Sequence, residues 1–437
     1  MSPGGTPPPT VPVVLSSTID PTNPDGIVVQ FDQQMTMTCD IKDQINVIID
    51  GAAPIHPQTV VHDVADPAIW ALTFPTDFVA GQVITWAYDD QGGCIWQSLA
   101  HSIETDNQTY GVTNNVPVET GFKAQFRIST DNEVLTLPAT GTNNFEINWG
   151  DGTTETVTST NPTHTYSVAS DYVVSINGIM PTLSFNNMGD KDKLLRIYDL
   201  GDVGWVNMSA MFYGCSNLSE FHAGHADTSN VTVFKQMFRL CLGFVNPPDV
   251  TDLDVSSGTN FSSMFNSLNN LVNPPDVSSW DVSSGTNFSS MFNSLNNLVN
   301  PPDVSSWDVS SGTNFYRMLY NLRGITSTPD VSSWDVSSGT NFSYMLSGWV
   351  SAGTVSLGIK NWDFSRGTNL TYFAYGTHIS TVEYDALLIS LDAQILQPDV
   401  VAHFGNSTKY TSGSTAETAR NNIIANDGWT ITDGGVA

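Results

Sequence analysis

The residues best suited to chemistry in this chain recur at a fixed spacing. Asp281, Asp308 and Asp335 stand 27 residues apart, with Asp254 before them and Asp363 after, and Trp280, Trp307, Trp334 and Trp362 keep nearly the same step. Units stacked at this spacing would bring like residues into rows, ~4.8 Å apart wherever the units pair as strands. Carboxylates that close repel unless each accepts backbone N–H bonds or a cation sits between them. Two readings of the aspartates follow. Each ties its own Ser-Ser turn by side-chain-to-backbone hydrogen bonds, or the row forms weak Ca²⁺ sites. No EF-hand or nonapeptide calcium motif accompanies them, and no cofactor besides Ca²⁺ is expected. The tryptophan row reads either as packing between units or as an aromatic face that binds a glycan. Asp151 and His164 form a further acid–imidazole pair, but no nucleophile accompanies them. A turn aspartate and a core-edge histidine explain them as well. Gly-rich phosphate loops, His-Glu-x-x-His helices and His/Cys metal spacings are missing, so an enzyme is not expected.

The elements that must position these residues come from an internal repeat. Met208, Phe234, Phe261, Phe288, Phe315, Phe342 and Leu370 are equivalent, 26 to 28 residues apart, and residues 254–288 and 281–315 are identical. In the unit SSGTNFSSMFNSLNNLVNPPDVSSWDV, the residues Phe261, Met264, Phe265, Leu268 and Leu271 have the spacing of one face of a short helix, with Thr259 or Asn260 as its N-cap. Pro274 and Pro275 stop it. The chain then extends to Trp280 and turns back at 281–285. Asn260, Asn287, Asn314, Asn341 and Asn369 should form another row. One such unit cannot bury its apolar face alone, so neighbours must share a continuous core. Cys215 and Cys241 fall on equivalent core positions of adjacent units, as buried thiols or as a bridge between coils.

The words Met208–Leu218 and Trp280–Phe288 resemble the BspA-type leucine-rich repeat, a module of bacterial surface lipoproteins, adhesins and phage virion proteins. The Pro-Pro pairs depart from that pattern and argue against a regular parallel sheet there. Upstream, Phe145–Thr153, Pro162–Tyr166 and Asp171–Ile176 resemble the PKD Ig-like domain, with Trp149 and Tyr166 filling a small core. Further upstream, short β-branched and aromatic runs alternate with turn signals. There Gly26–Asp32, Met35, Val47–Gly51 and Thr85–Asp89 resemble bacterial Ig-like modules, and Cys39 and Cys94 could meet across such a sandwich. Residues 382–391 and 415–424 have helical spacing, the second capped by Ser414 or Thr415, and 400–404 and the run from Trp429 read as strands. Asn406–Ser414 and Ala419–Gly435 look like the segment that follows such repeats in many phage tail and virion proteins.

The expected architecture is mainly β and multidomain. Residues 1–10 form a Pro-rich tether, 11–116 an Ig-like sandwich and 117–185 a PKD-like sandwich. Residues 186–375 form a leucine-rich-repeat-like solenoid of ~27-residue coils, and 376–437 an α/β cap. Composition narrows the role. Among 437 residues, 14 Lys and Arg stand against 43 Asp and Glu, a net charge of −29, and charged residues make up 13%, about half the usual ~25%. Nucleic acid and anionic membranes are therefore poor partners. No apolar run is long enough to span a bilayer, and no secretory signal opens the sequence. These features and the resemblances lead to an exterior structural protein of a bacteriophage virion: a fibre, spike or decoration protein. Its expected partners are other virion proteins and a host-surface glycan or protein. A bacterial cell-surface adhesin uses the same modules. A glycan-degrading enzyme would need paired carboxylates in a cleft. No heptad sets an oligomeric state.

Overall fold

The computed structural model describes residues 121–349 and 353–437 in full; among residues 1–120 it describes the backbone of nine strands. The chain divides into two compact units, 1–119 and 120–437. The described residues are mainly β, arranged in several small sheets, and contain two α-helices. In the first unit Val14–Asp20, Asn23–Phe31, Ile69–Thr73 and Thr59–His62 form an antiparallel four-stranded sheet in that order. Ile45–Ile49, Ile84–Tyr88 and Gln108–Gly111 form a three-stranded one. The proposed tether and the Cys39–Cys94 pairing lie outside the described residues.

The second unit opens with the six-stranded sheet Thr154–Val157, Asn144–Asn148, Ser170–Ile179, Phe122–Ile128, Leu194–Asp199, Glu220–Phe221. Phe122, Ala124, Phe126 and Ile128 alternate inward, as a half-buried strand requires. Trp149 and Tyr166 are buried in the same core, and the Tyr166 hydroxyl donates to the Trp149 carbonyl at 2.8 Å. The sheet does not end at residue 185. Leu194–Asp199 pairs with Phe122–Ile128 and then, in parallel, with Glu220–Phe221, so this β unit runs into the repeats without a break.

Successive repeats lie side by side. Parallel bridges join Val233, Asn260, Asn287, Asn314, Asn341 and Asn369 in sequence. The helix expected over 261–271 is not formed. Two successive turns replace it, because Ser263 and Ser267 adopt left-handed backbone, with φ of 57° and 63°. The N–H groups of Met264 and Asn266 close these turns onto Phe261 and Ser263, both at 3.2 Å. The alternate N–H groups, of Phe261, Ser263, Phe265 and Ser267, donate across to Asn287, Ser289, Met291 and Asn293 of the next coil at 2.8–3.0 Å. Two turns of four residues reproduce the 3-4-7 apolar spacing of a helix while turning half the N–H groups toward a neighbour. A helix would keep all of them internal.

The same left-handed pair recurs along the stack. Its first position is Ala210, Gln236, Ser263, Ser290, Arg317, Tyr344 and Tyr372; its second is Gly214, Leu240, Ser267, Ser294, Asn321, Gly348 and Gly376. A second ladder runs with opposite polarity: Thr286, Thr313 and Thr340 donate N–H back to Thr259, Thr286 and Thr313, each at 2.9 Å. Inside the coils, Phe234, Phe261, Phe288, Phe315 and Phe342 form one column with centroid spacings of 5.5–5.8 Å and interplanar angles of 1–11°. Phe238, Phe265 and Phe292 form another. Offset stacking at this distance adds about 0.5–1.5 kcal/mol per pair beyond area burial. Gly285 leaves room for this column, since a Cβ there would lie 2.4 Å from the Phe288 ring; Gly258, Gly312 and Gly339 repeat the arrangement.

The last coil meets an α/β segment. Helices Thr381–Asp392 and Thr415–Asp427 are N-capped by Ser380 and Ser414, and strands Val401–Gly405 and Thr430–Asp433 pair in parallel. Ala402 bridges to Leu370, so the strand continues the repeat ladder. Buried Glu383 accepts the N–H groups of Leu357 (2.6 Å) and Ile359 (3.0 Å) and the Ser356 hydroxyl (2.5 Å). Gln394 accepts from Phe364 N–H and donates to the Trp362 carbonyl. These bonds satisfy backbone groups that the end of a stack would otherwise leave unpaired.

Left-handed backbone costs an L-residue about 1–2 kcal/mol, whereas glycine adopts it freely. Ser263→Gly should therefore raise unfolding stability by about 0.5–1 kcal/mol and Ser263→Val lower it, read as urea midpoints. In a helix the glycine would instead cost about 1 kcal/mol, so a loss on Ser263→Gly would contradict the turn geometry.

Candidate functional site

The rows expected from the sequence form, the tryptophans inside the coils and the aspartates at the surface. Trp280, Trp307, Trp334 and Trp362 are only 5, 3, 4 and 1% exposed. Each indole N–H donates to a carbonyl of the preceding coil: Val250, Val277, Val304 and Val331, at 2.9–3.1 Å. A buried indole needs such a partner, and the coil beneath supplies it. The tryptophans thus tie coils together: of the two readings, packing between units describes them, and Trp280, Trp307, Trp334 and Trp362 are too buried to form the binding face.

The aspartates stay at the surface and hold turns. Asp281 Oδ1 accepts the Ser283 N–H at 3.0 Å and its hydroxyl at 2.7 Å. Asp308 and Asp335 accept N–H from Ser310 and Ser337, and Asp276 and Asp330 repeat the motif at the preceding corner. Serine hydroxyl and N–H bonds hold Asp276, Asp281, Asp308 and Asp330 below the ordinary aspartate range, against slight burial. Repulsion from Asp308 opposes the effect at Asp281. Among the described residues, no three His, Cys, Asp or Glu side chains converge as a metal-binding group.

The remaining candidates have structural partners. His164 Nε2 lies 2.7 Å from Asp151 Oδ2, and the same nitrogen faces the Thr153 hydroxyl at 3.4 Å. A base that relays a proton needs one nitrogen for its nucleophile and the other for its carboxylate, and this geometry does not provide both. Burial works against ionisation of Asp151, but the bonds from Thr153 and His164 outweigh it and pull it down to about 2. Cys215 and Cys241 are free, buried thiols, pushed upward chiefly by burial; Cys241 Sγ donates to the Phe212 carbonyl. An open polar cleft lies over Gln125, Arg127, Asp171 and Arg196, but Arg127 is held by both oxygens of Asp171 at 2.9 and 3.0 Å.

One surface was missed. From the second coil onward the first left-handed positions of the turns are half-buried or exposed. In the two identical repeats these are Ser263 and Ser290; in the later coils the same position holds Arg317, Tyr344 and Tyr372. The Arg317 guanidinium lies 4.9 Å from the Tyr316 ring, 5.2 Å from Tyr320 and 4.8 Å from Tyr344. Tyr344 stacks on Tyr372 at 4.8 Å, and Tyr372 on His403 at 5.2 Å. Tyr372 and Tyr375 are 37 and 47% exposed. The arrangement is an aromatic strip with one guanidinium, whose ring edges and hydroxyls can meet a ligand. The available signal was the replacement of Ser289, Ser290 and Asn293 by Tyr316, Arg317 and Tyr320, in a unit that keeps the framework Phe315, Met318, Leu322 and Trp334 while its turns change.

Residues 183–301, and again 269–383, match a family described as "Mycoplasma protein of unknown function, DUF285". The repeat region is thus similar to that family. No curated protein matches the chain. Among solved structures, the N-terminal part of the bacterial S-layer protein SbsC is similar at 11% identity and a TM-score of 0.22, covering 38% of this chain and 44% of that one. The chain thus spans less than half the length of that neighbour.

Aspartates whose folded pKa lies below the unfolded value contribute stability above about pH 4, and lose it as pH falls through the folded values. The urea midpoint should therefore drop between pH 5 and pH 2.5. Replacing Asp276, Asp281, Asp308 and Asp330 together by Asn, which keeps a neutral acceptor oxygen but not the charge, should lower the midpoint at pH 7 toward its acid value and so make that acid limb shallower. An unaltered limb would remove these turns as its source.

Proposed function

We propose that this chain is an exterior structural protein of a bacteriophage virion, a fibre, spike or decoration protein, that presents its repeat face to the host surface. On this reading residues 11–116 and 117–185 are Ig-like and PKD-like spacer modules, and 186–375 are a leucine-rich-repeat-like solenoid closed by 376–437. The observation that carries it is a stack of like coils, tied together on its inside and fitted at its end by a dedicated α/β segment, whose core stays apolar throughout while its turns carry serine in some coils and arginine or tyrosine in others. Such a scaffold is suited to holding a recognition surface in a fixed geometry, since repeats stabilise one another through nearest-neighbour contacts. The resemblance of 406–435 to the segment that follows such repeats in phage proteins favours a virion over a cell envelope. Other virion proteins are the natural attachment partners for the remainder of the chain.

A bacterial cell-surface adhesin is the second reading, favoured by the use of the same modules on cell surfaces. Mass spectrometry of particles purified from a lysate in which the chain is made, with antibody labelling by electron microscopy, separates the two. The virion reading expects peptides of this chain in the particles and label on their exterior. Particles free of the chain, with label on uninfected cells, would overturn it in favour of the adhesin.

A further inference from the structure

We propose that Tyr316, Arg317, Tyr320, Tyr344, Tyr372 and Tyr375 form a binding site for an acidic polysaccharide, one whose sugar rings carry carboxylates. The proposal rests on the attachment reading above and names the ligand for it.

Large side chains on the turns of the later coils are the first observation. Arg317, Tyr344 and Tyr372 occupy left-handed backbone at φ of 53°, 58° and 56°. None is needed by the core, since Phe288, Phe315 and Phe342 stack alike whether the adjacent turn carries Ser290, Arg317 or Tyr344. The left-handed φ belongs to the coil, since Gln236, Ser263 and Ser290 share it; what sets these later coils apart is a large side chain there that the packing does not require.

Charge is the second. The outward turns of all seven coils, residues 208–219, 234–245, 261–272, 288–299, 315–326, 342–349 and 370–379, contain no Asp or Glu, although the chain has 43. They do contain Lys235, Arg239, Arg317 and Arg323. The repeat aspartates sit on the other corners of the coil. A chain of net charge −29 therefore keeps these turns free of acid of their own, Asp192 meeting the first of them at Ser216 and Asn217, which favours an anionic ligand at the later coils.

The third is the state of Arg317. It lies against three tyrosine rings, its Nε is buried without a hydrogen-bond partner, and it makes no ion pair among the described residues. A guanidinium presents a planar fork that matches a carboxylate. The faces of Tyr344 and Tyr372 are taken up by Arg317, each other and His403, so these rings offer edges and hydroxyls to a pyranose, and the exposed Tyr375 adds ring surface. A neutral glycan would use the rings and leave the cation unmatched, and a simple polyanion would use the cation and leave the rings.

Affinity electrophoresis of the full chain through gels containing polygalacturonate, dextran or polyglutamate tests this. Polygalacturonate should retard the protein, and dextran and polyglutamate should do so at least about fivefold less. Arg317→Ser restores the residue present at 290, so its fold, checked by circular dichroism, should survive; it and Tyr372→Ser should each weaken retardation about fivefold or more. No retardation by polygalacturonate, equal retardation by dextran or polyglutamate, or folded variants that bind as tightly as wild type would each overturn the site. Binding by a chain that is missing from virions would leave the site standing and remove the virion reading. Virions that carry the chain without polygalacturonate binding would do the reverse.

Discussion

The structure depends on a register. A coil can donate Phe261, Ser263, Phe265 and Ser267 N–H groups to the next coil only if that coil returns to the same place after a near-constant number of residues. At 27 residues, the phenylalanines, tryptophans and asparagines also return to the same place. The polar ladder and the aromatic columns therefore enforce one another. A slip by one residue would move Phe288 away from Phe261 and Phe315 and leave buried N–H groups unpaired, each at a cost of about 1–3 kcal/mol. The two ladders run in opposite senses, so each coil both gives and receives, and neither end carries a full row of donors alone.

This division leaves one part of the coil free to vary. Trp280 is tied through its indole to Val250, Asn260 accepts the N–H two residues on, and Asp281 fastens its corner. None of these can change without loosening a turn or a contact. Serine, arginine and tyrosine all occupy the left-handed turn while the phenylalanine column beside it keeps its spacing. The ends are handled differently. At one, Leu194–Asp199 extends a β-sheet into the first coils. At the other, Glu383 and Gln394 supply side-chain partners where no further coil exists.

Much of this was legible in the sequence. The period was plain from Phe261, Phe288 and Phe315, and the terminal helices were plain from their spacing and from Ser414, because propensity and capping act locally there. The inner segment was misread because Phe261, Met264, Phe265 and Leu268 satisfy a helical period and a pair of four-residue turns equally well. The deciding feature was the outward residue of each turn. Gly214, Asn321, Gly348 and Gly376 tolerate left-handed backbone, and their recurrence four residues after Ala210, Arg317, Tyr344 and Tyr372 is a turn signal. Trp280 and its equivalents attracted attention as aromatic residues, yet their indole N–H groups find carbonyls one coil away, a long-range contact that no local pattern displays. The tyrosine strip was missed for the opposite reason: it is not a repeated feature but a departure from the repeat.

Because residues 254–288 and 281–315 are identical, removing residues 281–307 rejoins the chain without altering any local sequence. Urea unfolding of that variant, followed by tryptophan fluorescence, should show a folded protein with one coil fewer, buried indoles and a cooperative transition, whereas removal of only residues 281–300 should abolish it. If both deletions unfolded the chain equally, or if the 20-residue deletion were tolerated as well as the 27-residue one, the coils could not be registered units sharing one core.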